Sequence, residues 1–414
     1  MKRAAAATLC AAALSLFACN APEAGRPDAR WYRGNTHTHT LWSDGDVAPE
    51  AAVDWYSSRG YDFLVLSDHN ILAEGDFWRP IGDGYKEAAP AHVAELRERY
   101  GAETVTTRRR ADGREELRLL PLAELRARFE RPGRFLLIPG EEISDRIDRR
   151  PIHHGALNVG RTIPPPGGDS VREAMRNALA AIEAEGRRTG RPVLGHLNHP
   201  NYEWGVSTDD LAHVLEERYF EVYNGHRLVC NEGDAEHPST EAMWDTALAL
   251  RLALLDGPPL WALATDDAHS FREVPGVSNP GRGWIQVRAT ALEPDAIVEA
   301  MLAGDFYASS GVELREARRD SSGIDIEIQA EPGVGYTTRF VGTRGQRGDP
   351  VDRLAIGETF ATVTGPRARY RFRGDELYVR AVIVSDRRHP NGYSPKDFES
   401  AWVQPALPRR PGTR

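Results

Sequence analysis

Phe63-Leu64-Val65-Leu66-Ser67-Asp68-His69-Asn70 runs four consecutive apolar residues straight into a hydroxyl, a carboxylate, an imidazole and an amide. A short apolar run without alternation predicts a strand covered on both faces, as in a parallel sheet lying between helices. The polar group then stands at the carboxyl end of that strand, where α/β proteins bind their ligands. A helix is expected just before it, over 49–59, with Pro49 near its start and Gly60 after its end.

The arrangement recurs along the chain. Phe135-Leu136-Leu137-Ile138 leads into Pro139-Gly140-Glu141-Glu142, where Pro139-Gly140 is expected to stop the strand, and Ile152-His153-His154-Gly155 follows. Val193-Leu194 leads to His196 and then to Leu197-Asn198-His199-Pro200. A strand over 219–223 ends at Asn224-Gly225, and Trp261-Ala262-Leu263-Ala264 ends at Thr265-Asp266-Asp267-Ala268-His269. Near the start, His37-Thr38-His39 follows Asn35, and side chains two apart in a strand share a face. Leu41-Trp42-Ser43-Asp44-Gly45-Asp46 adds carboxylates to the same loop. Helical patterns over 170–185, 241–255 and 294–302, with a further strand over 284–287, complete a series of βα units. Successive strand ends thus carry His, Asp or Glu while the strand cores are expected to carry none, so accident is a poor account of the pattern. Imidazole and carboxylate ligands without thiolate suit Zn²⁺, Mn²⁺ or Fe²⁺, and the set is too rich for a four-ligand structural zinc.

Residues 76–130 interrupt this series as a charged insertion, with a hairpin turn at Ala111-Asp112-Gly113 and a short helix after Pro121, placed as a rim over one end of the domain. After Val312 the pattern changes to alternation, as in Ile324-Asp325-Ile326-Glu327-Ile328, and residues 312–405 read as a small β-sandwich-like domain. Residues 406–414 read as a flexible, arginine-rich tail.

The length of 414 residues is room for about two domains. With 27% charged and 41% hydrophobic residues and a mean hydropathy of −0.50, a multispanning membrane protein is excluded. A net charge of −9 argues against a nucleic-acid partner. Lys2 and Arg3 followed by the Ala-rich run from Ala4 to Phe17 read as an export signal over 1–18. Leu16-Phe17-Ala18-Cys19 resembles the lipobox of bacterial lipoproteins, with bulky Phe17 as its departure; plain cleavage near Ala18 is the alternative. Lipidation at Cys19 would leave 19–30 as a polar tether, and Asn20 is similar to residues that permit outer-membrane sorting, which places the protein on the periplasmic side. With Cys10 in the signal and Cys19 lipidated, Cys230 has no disulfide partner and reads as a buried or half-buried thiol.

His37-x-His39-x-x-x-Ser43-Asp44-Gly45, Ser67-Asp68-His69-Asn70, Pro139-Gly140-Glu141-Glu142, Asn198-His199-Pro200 and Asp267-x-His269 together resemble the PHP family of polymerase and histidinol phosphatase-like metallohydrolases. The resemblance spans 31–311 in the family's order, and 34–70 is most similar to its carbaryl-hydrolase branch. It implies an α/β fold, a distorted (β/α)₇ barrel followed by the small C-terminal all-β domain, and two or three Zn, Mn or Fe ions. By the same resemblance His37 and His39 hold one metal with Asp267, and Glu142 bridges, favoured over Glu141. His199 holds a second metal with His153 or His154; His153 is favoured because the stretch to Asn158 resembles the branch's His-x-Asn pattern, although Gly155 replaces that Asn. Asp44, His69 and His269 would take a third metal.

Around these, Asp68 and Asp266 are the expected carboxylate partners of the imidazoles, Asn224 is expected to face substrate, and His196 is a weak proton-transfer candidate. Arg146, with Arg149 and Arg150, is either a phosphate contact or part of a solvated loop. His92, His213, His226, His237 and His389 default to surface or capping roles, and Glu50 and Asp54 to a solvated helix face. The implied reaction is hydrolysis of a phosphomonoester or phosphodiester by a metal-activated hydroxide. The alternatives are a carbamate or aryl-ester hydrolase and a non-catalytic surface protein that binds metal or carbohydrate.

Overall fold

The computed structural model describes residues 29–272, 276–392 and 397–409. The signal segment 1–18, Cys19, the tether up to residue 28 and the tail from residue 410 lie outside the described residues. In chain order the first part comprises β1 (Arg30–Asn35), α1 (Pro49–Ser58), β2 (Phe63–Leu66), β3 (Phe77–Pro80), α2 (Pro90–Tyr100), β4 (Thr107–Arg109), β5 (Glu115–Leu119) and α3 (Leu122–Phe129). It continues through β6 (Leu136–Ile147), β7 (Arg150–Leu157), α4 (Val171–Thr189), β8 (Leu194–Leu197), α5 (Thr208–His213), β9 (Tyr219–Asn224), α6 (Thr240–Ala253), β10 (Trp261–Thr265), β11 (Trp284–Ala289), α7 (Pro294–Leu302) and β12 (Phe306–Ser309). The C-terminal part is all strand apart from one short 3₁₀ turn: β13 (Leu314–Asp320), β14 (Gly323–Ile328), β15 (Tyr336–Arg344), β16 (Ala355–Thr364), β17 (Arg367–Arg371), β18 (Glu376–Arg388) and β19 (Phe398–Ala406).

The ends of these elements follow local chemistry. The Ser170 side chain accepts the Glu173 N–H at the start of α4, and Gly190 closes that helix at φ +69, a left-handed conformation that favours glycine. Val171, Ala174, Met175, Ala178, Leu179 and Ile182 form its buried stripe at three- and four-residue spacing. A reciprocal capping box between Ser207 and Asp210 starts α5. Gly34 in β1 has no room for a side chain, since a Cβ there would sit 2.1 Å from the Phe63 ring.

A single thirteen-stranded sheet runs in the order β10-β9-β8-β7-β6-β2-β1-β11-β12-β19-β18-β15-β16. β1, β2 and β6 are parallel, as β8, β9 and β10 are, but β7 is antiparallel to both its neighbours and β11 is antiparallel to β1. The expected barrel is not closed. β10 lies beside β11 and β12, yet among the described residues no ladder joins β10 to either. The Gln404 side chain of β19 serves that edge instead, accepting the Ala262 N–H at 2.9 Å and donating to the Ala262 carbonyl at 2.7 Å. At the mouth, Thr38 and Ala268 form an isolated parallel bridge across this gap.

Pro139-Gly140 does not stop its strand. β6 continues to Ile147 and folds back on β7 through Asp148 and Arg149, both at positive φ as a two-residue type I′ turn requires. Pro139 keeps its place by pairing with Leu66, and Gly140 is needed because a Cβ would meet Val65 at 2.4 Å and the Ala156 carbonyl at 2.8 Å. The glycine therefore permits close strand packing rather than a turn.

The insertion forms its own three-stranded sheet, β3-β5-β4, with the hairpin turn at residues 110–114 as expected. β13, β14 and β17 form a third sheet, facing β15, β18 and β19 across a shared core that includes Ile324, Ile326, Phe340, Tyr370, Val379 and Ile383. These C-terminal strands are not set apart from the α/β part, because β12 pairs with β19 and α6 packs on β16 and β18. The buried Arg380 guanidinium of β18 pairs with Asp245 of α6 at 2.7 Å. Cys230, expected buried or half-buried, is free and exposed, since it falls in the loop after β9 where Val229 takes the buried position. No helix among the described residues is long and apolar enough to cross a membrane.

Glu50 is not a solvated helix residue. It is 3% exposed in the first turn of α1, where α2 and α3 of the insertion cover it, and its Oε2 accepts no hydrogen bond. Burial raises its carboxyl to about 7, against the partial opposition of the backbone and Arg128. The folded state therefore holds the Glu50 proton more tightly than the unfolded chain, so this contribution is complete in acid and is lost as pH rises through 7. Glu50→Gln is expected to leave stability unchanged near pH 4 and to stabilise by roughly 3 kcal/mol above pH 8. Thermal midpoints of both proteins across that range provide the measurement.

Candidate metal centre

Local structure delivers each polar strand end to one mouth. Beyond β1, the bridge between Thr38 and Ala268, with the His39 N–H on the Ala268 carbonyl and the Asp267 N–H on the His37 carbonyl, sets His37 and His39 beside Asp267. The parallel bridge between His69 and Glu142 does the same for the ends of β2 and β6. Alternation along β6 turns Glu142 toward the mouth and Glu141 away from it. Glu141 instead accepts the Ile163 N–H at 2.6 Å, and burial raises its carboxyl to about 8. On β7 the same alternation parts the histidine pair: His153 Nδ1 lies 3.0 Å from Glu142, whereas His154 Nε2 lies 3.0 Å from buried Glu217 on the other face.

His37 Nε2 and His39 Nε2 are 3.1 Å apart, and each is 3.2 Å from Asp267 Oδ1. Glu142 Oε1 is 3.3 Å from His37, 3.1 Å from His199 Nε2 and 3.0 Å from His153, and Glu142 Oε2 is 2.6 Å from His69 Nδ1. Asp44 completes an outer group, 3.5 Å from both His69 Nε2 and His269 Nε2 and 3.7 Å from His39 Nδ1. Four overlapping groups have ligand atoms mutually within 4.8 Å: His39, Asp44, His69 and His269; His37, His199 and Asp267; His37, His39 and Glu142; and His69, Glu142 and His153. Every metal ligand expected from the sequence is among them, with His153 rather than His154.

This donor set fits divalent cations. Facing imidazole nitrogens and carboxylate oxygens converge, and buried Asp267 Oδ1 accepts no hydrogen bond of good geometry although it lies between two imidazoles. Burial alone would raise Glu142 and Asp267, but the surrounding imidazoles hold both well below the usual carboxylate range. Burial would likewise lower His37 and His69, yet the carboxylates raise His37 well above its ordinary value and His69 to about 9. His39, with burial reinforced by the neighbouring charges of His269 and His69, falls to about 3. His199 and Asp267 hold left-handed backbone at φ +24 and +47, an unfavourable conformation for non-glycine residues that concentrates at functional sites.

The supporting layer differs from expectation. Glu221 is the residue that sequence reasoning missed: its Oε1 lies 2.8 Å from His37 Nδ1 and accepts the Thr265 hydroxyl, and its Oε2 accepts the His199 N–H. A carboxylate inside the otherwise apolar run of β9 was the available signal. Asp68 does not partner an imidazole; it accepts the N–H and hydroxyl of both Thr40 and Ser43 and so folds the loop that presents Asp44. Asp266 turns outward to Tyr56, Asn35 and the backbone of Arg282 and Gly283. Asn224 is buried rather than facing substrate, donating to Glu221 and to Asp267 Oδ2.

His196 is fully buried against Gly155, with neither ring nitrogen partnered, and burial lowers it to about 4; it does not reach the mouth as a proton-transfer group. Arg146 is exposed and engages Glu203. His226, expected at the surface, sits at the site with its ring 5.1 Å from that of His269 and 6.0 Å from that of Tyr202, whose own ring is 5.2 Å from His199. His226 follows Asn224 by two residues at a strand end, so the rule that found the other histidines reaches it too. His92 is buried and caps α1 by accepting the Ala48 N–H.

No family model and no curated protein matches the chain. Several solved structures are similar to it, among them these two. One is a two-domain protein from Bacteroides vulgatus containing a predicted PHP-like metal-dependent phosphoesterase, at 16% identity and a TM-score of 0.40 over 91% of this chain and 96% of that one. The other is an amidohydrolase from Chromobacterium violaceum with bound sulfate, at 14% identity and a TM-score of 0.32 over 59% of this chain and 90% of that one.

Against the opposing effect of burial, the surrounding carboxylates raise His37, His69 and His199, and metal binding requires these imidazoles in their neutral form. Titration calorimetry in buffers of different ionisation enthalpy is expected to show proton release on metal binding, with weaker binding at about pH 6 than at about pH 8.

Proposed function

We propose that this chain is a divalent-metal-dependent hydrolase acting on phosphomonoesters or phosphodiesters. The supporting observation is the convergence of six imidazoles and three carboxylates from separate strand ends on one mouth, with ligand atoms in mutual reach. Zn, Mn or Fe bound there, in two or three positions, would supply Lewis acidity toward the ester and a water of lowered pKa. The chain's own residues do the rest. Glu142 stands between the inner and outer groups, and Glu221 fixes the outward nitrogen of His37. Asn224 fixes Asp267. His226 Nδ1 accepts the Leu228 N–H and burial lowers the ring to about 4, so it stands beside the mouth as a neutral imidazole whose Nε2–H can hydrogen-bond a substrate oxygen.

The second reading is carbamate or aryl-ester hydrolysis. It is favoured by the aromatic wall of Tyr202, packed on His199 and His226, which suits a flat leaving group. We further propose that the protein is exported and lipid-anchored at Cys19 on the periplasmic side, on the sequence of residues 1–19. A Cys19→Ser chain is then expected to move from the membrane fraction to the soluble fraction when expressed in a Gram-negative host.

Metal-reconstituted protein should hydrolyse p-nitrophenyl phosphate or bis-p-nitrophenyl phosphate faster than 1-naphthyl N-methylcarbamate, and turnover of the carbamate alone would reverse the order of the two readings. Glu142→Ala should lose more than one metal equivalent by elemental analysis, with activity down at least about a hundredfold. Cys230→Ala should match wild type in both assays.

A further inference from the structure

Arg79, on β3 of the insertion, crosses to the loop that carries Asp44. Its Nε donates to the Leu41 carbonyl at 2.5 Å, and its Nη2 donates to the Trp42 and Ser43 carbonyls at 2.9 and 2.8 Å. Three consecutive carbonyls therefore share one guanidinium. Asp68 takes the Thr40 and Ser43 N–H groups, so the same short stretch has an acceptor on its amides and a donor on its carbonyls. Neighbouring contacts reinforce the grip. The Trp42 ring stacks on Phe77 of β3 at 4.9 Å and donates its indole N–H to the Leu120 carbonyl beyond β5. Gly45 allows the loop to close, since a Cβ there would lie 2.6 Å from the His39 carbonyl oxygen. Finally, the Tyr85 hydroxyl of the insertion reaches Asp44 Oδ2 at 3.4 Å.

We propose that the inserted segment 76–130 sets the outermost metal position, formed by Asp44, His69 and His269, with Arg79 as its positioning residue. This rests on the metal-hydrolase reading. The inner ligands do not need the strut: His37, Glu142, His199 and Asp267 are fixed by the sheet and by Glu221, Asn198 and Asn224. Asp44 sits on a loop without strand pairing, and its approach to two imidazoles is set by how that loop is clamped. A lysine can offer one ammonium but not a planar fork spanning several carbonyls.

The test is a stepwise Mn²⁺ or Zn²⁺ titration of the full protein, with bound metal counted by elemental analysis, on wild type, Arg79→Ala, Arg79→Lys and Glu142→Ala. Arg79→Ala is expected to lose one equivalent, or to bind it roughly ten- to hundredfold more weakly, while the remaining equivalents are unchanged. Arg79→Lys should shift the same equivalent by less, which keeps the test decisive if the alanine variant does not fold. Faster amide exchange over residues 40–46, with an unaltered thermal midpoint of the metal-free protein, should accompany the loss. Wild-type metal content in both Arg79 variants, or loss of inner and outer equivalents together, would overturn the proposal. Failure of wild type to bind metal, or a Glu142→Ala variant that binds it normally, would instead overturn the metal reading on which the proposal rests.

Discussion

Glu142 is the constraint around which the rest is arranged. It is fully buried, and its two oxygens face His37, His153 and His199 on one side and His69 on the other. An ionised carboxylate in that position is tenable only because imidazoles surround it, and the imidazoles are tenable only because carboxylates return the charge. The β6 backbone must therefore hold Glu142 closely, and it does so by running through Pro139 and Gly140 between β2 and β7, with no space beside Gly140 for a side chain. Asn198 adds a hydrogen bond to Oε1 from β8's end.

Around that anchor the supporting residues divide into two kinds. Glu221 and Asn224 of β9 act through the sheet, holding His37, His199 and Asp267 from below. Asp68 and Arg79 act through a loop, holding Thr40, Ser43 and their neighbours from two sides. Sheet-borne ligands inherit the rigidity of paired strands, whereas the loop-borne Asp44 depends on contacts made by a segment inserted far along the chain. The inner and outer parts of the cluster thus have different structural guarantors.

Much of this arrangement was legible in the residues. Apolar runs followed by His, Asp or Glu located β2, β8 and β10 and, at their ends, His69, His199 and His269, because burial on both faces and a polar terminus leave a plain linear trace. Alternation explains why Glu142 and His153 face inward while Glu141 and His154 do not, although spacing left the histidine pair open. What escaped was set by partners distant in sequence. Glu221 looked like part of a strand core until β10 and β1 were placed beside it, and Glu50 looked solvated because its cover comes from the insertion. Pro139-Gly140 carried the residue types of a turn but serves close packing, a distinction that depends on what lies across the sheet. Barrel closure failed for the same reason, since β10 finds a glutamine side chain where a strand was expected.

That glutamine has a consequence for the behaviour of the whole molecule. An unpaired strand edge offers its N–H and C=O groups to any passing chain and is a standing route to intermolecular β-pairing. By taking both the N–H and the carbonyl of Ala262 with one side-chain amide, Gln404 blunts the edge of β10 near its start. β19 thereby guards the part of the protein that bears the candidate metal-ligating residues, and a chain cut short before Gln404 would leave that edge uncovered.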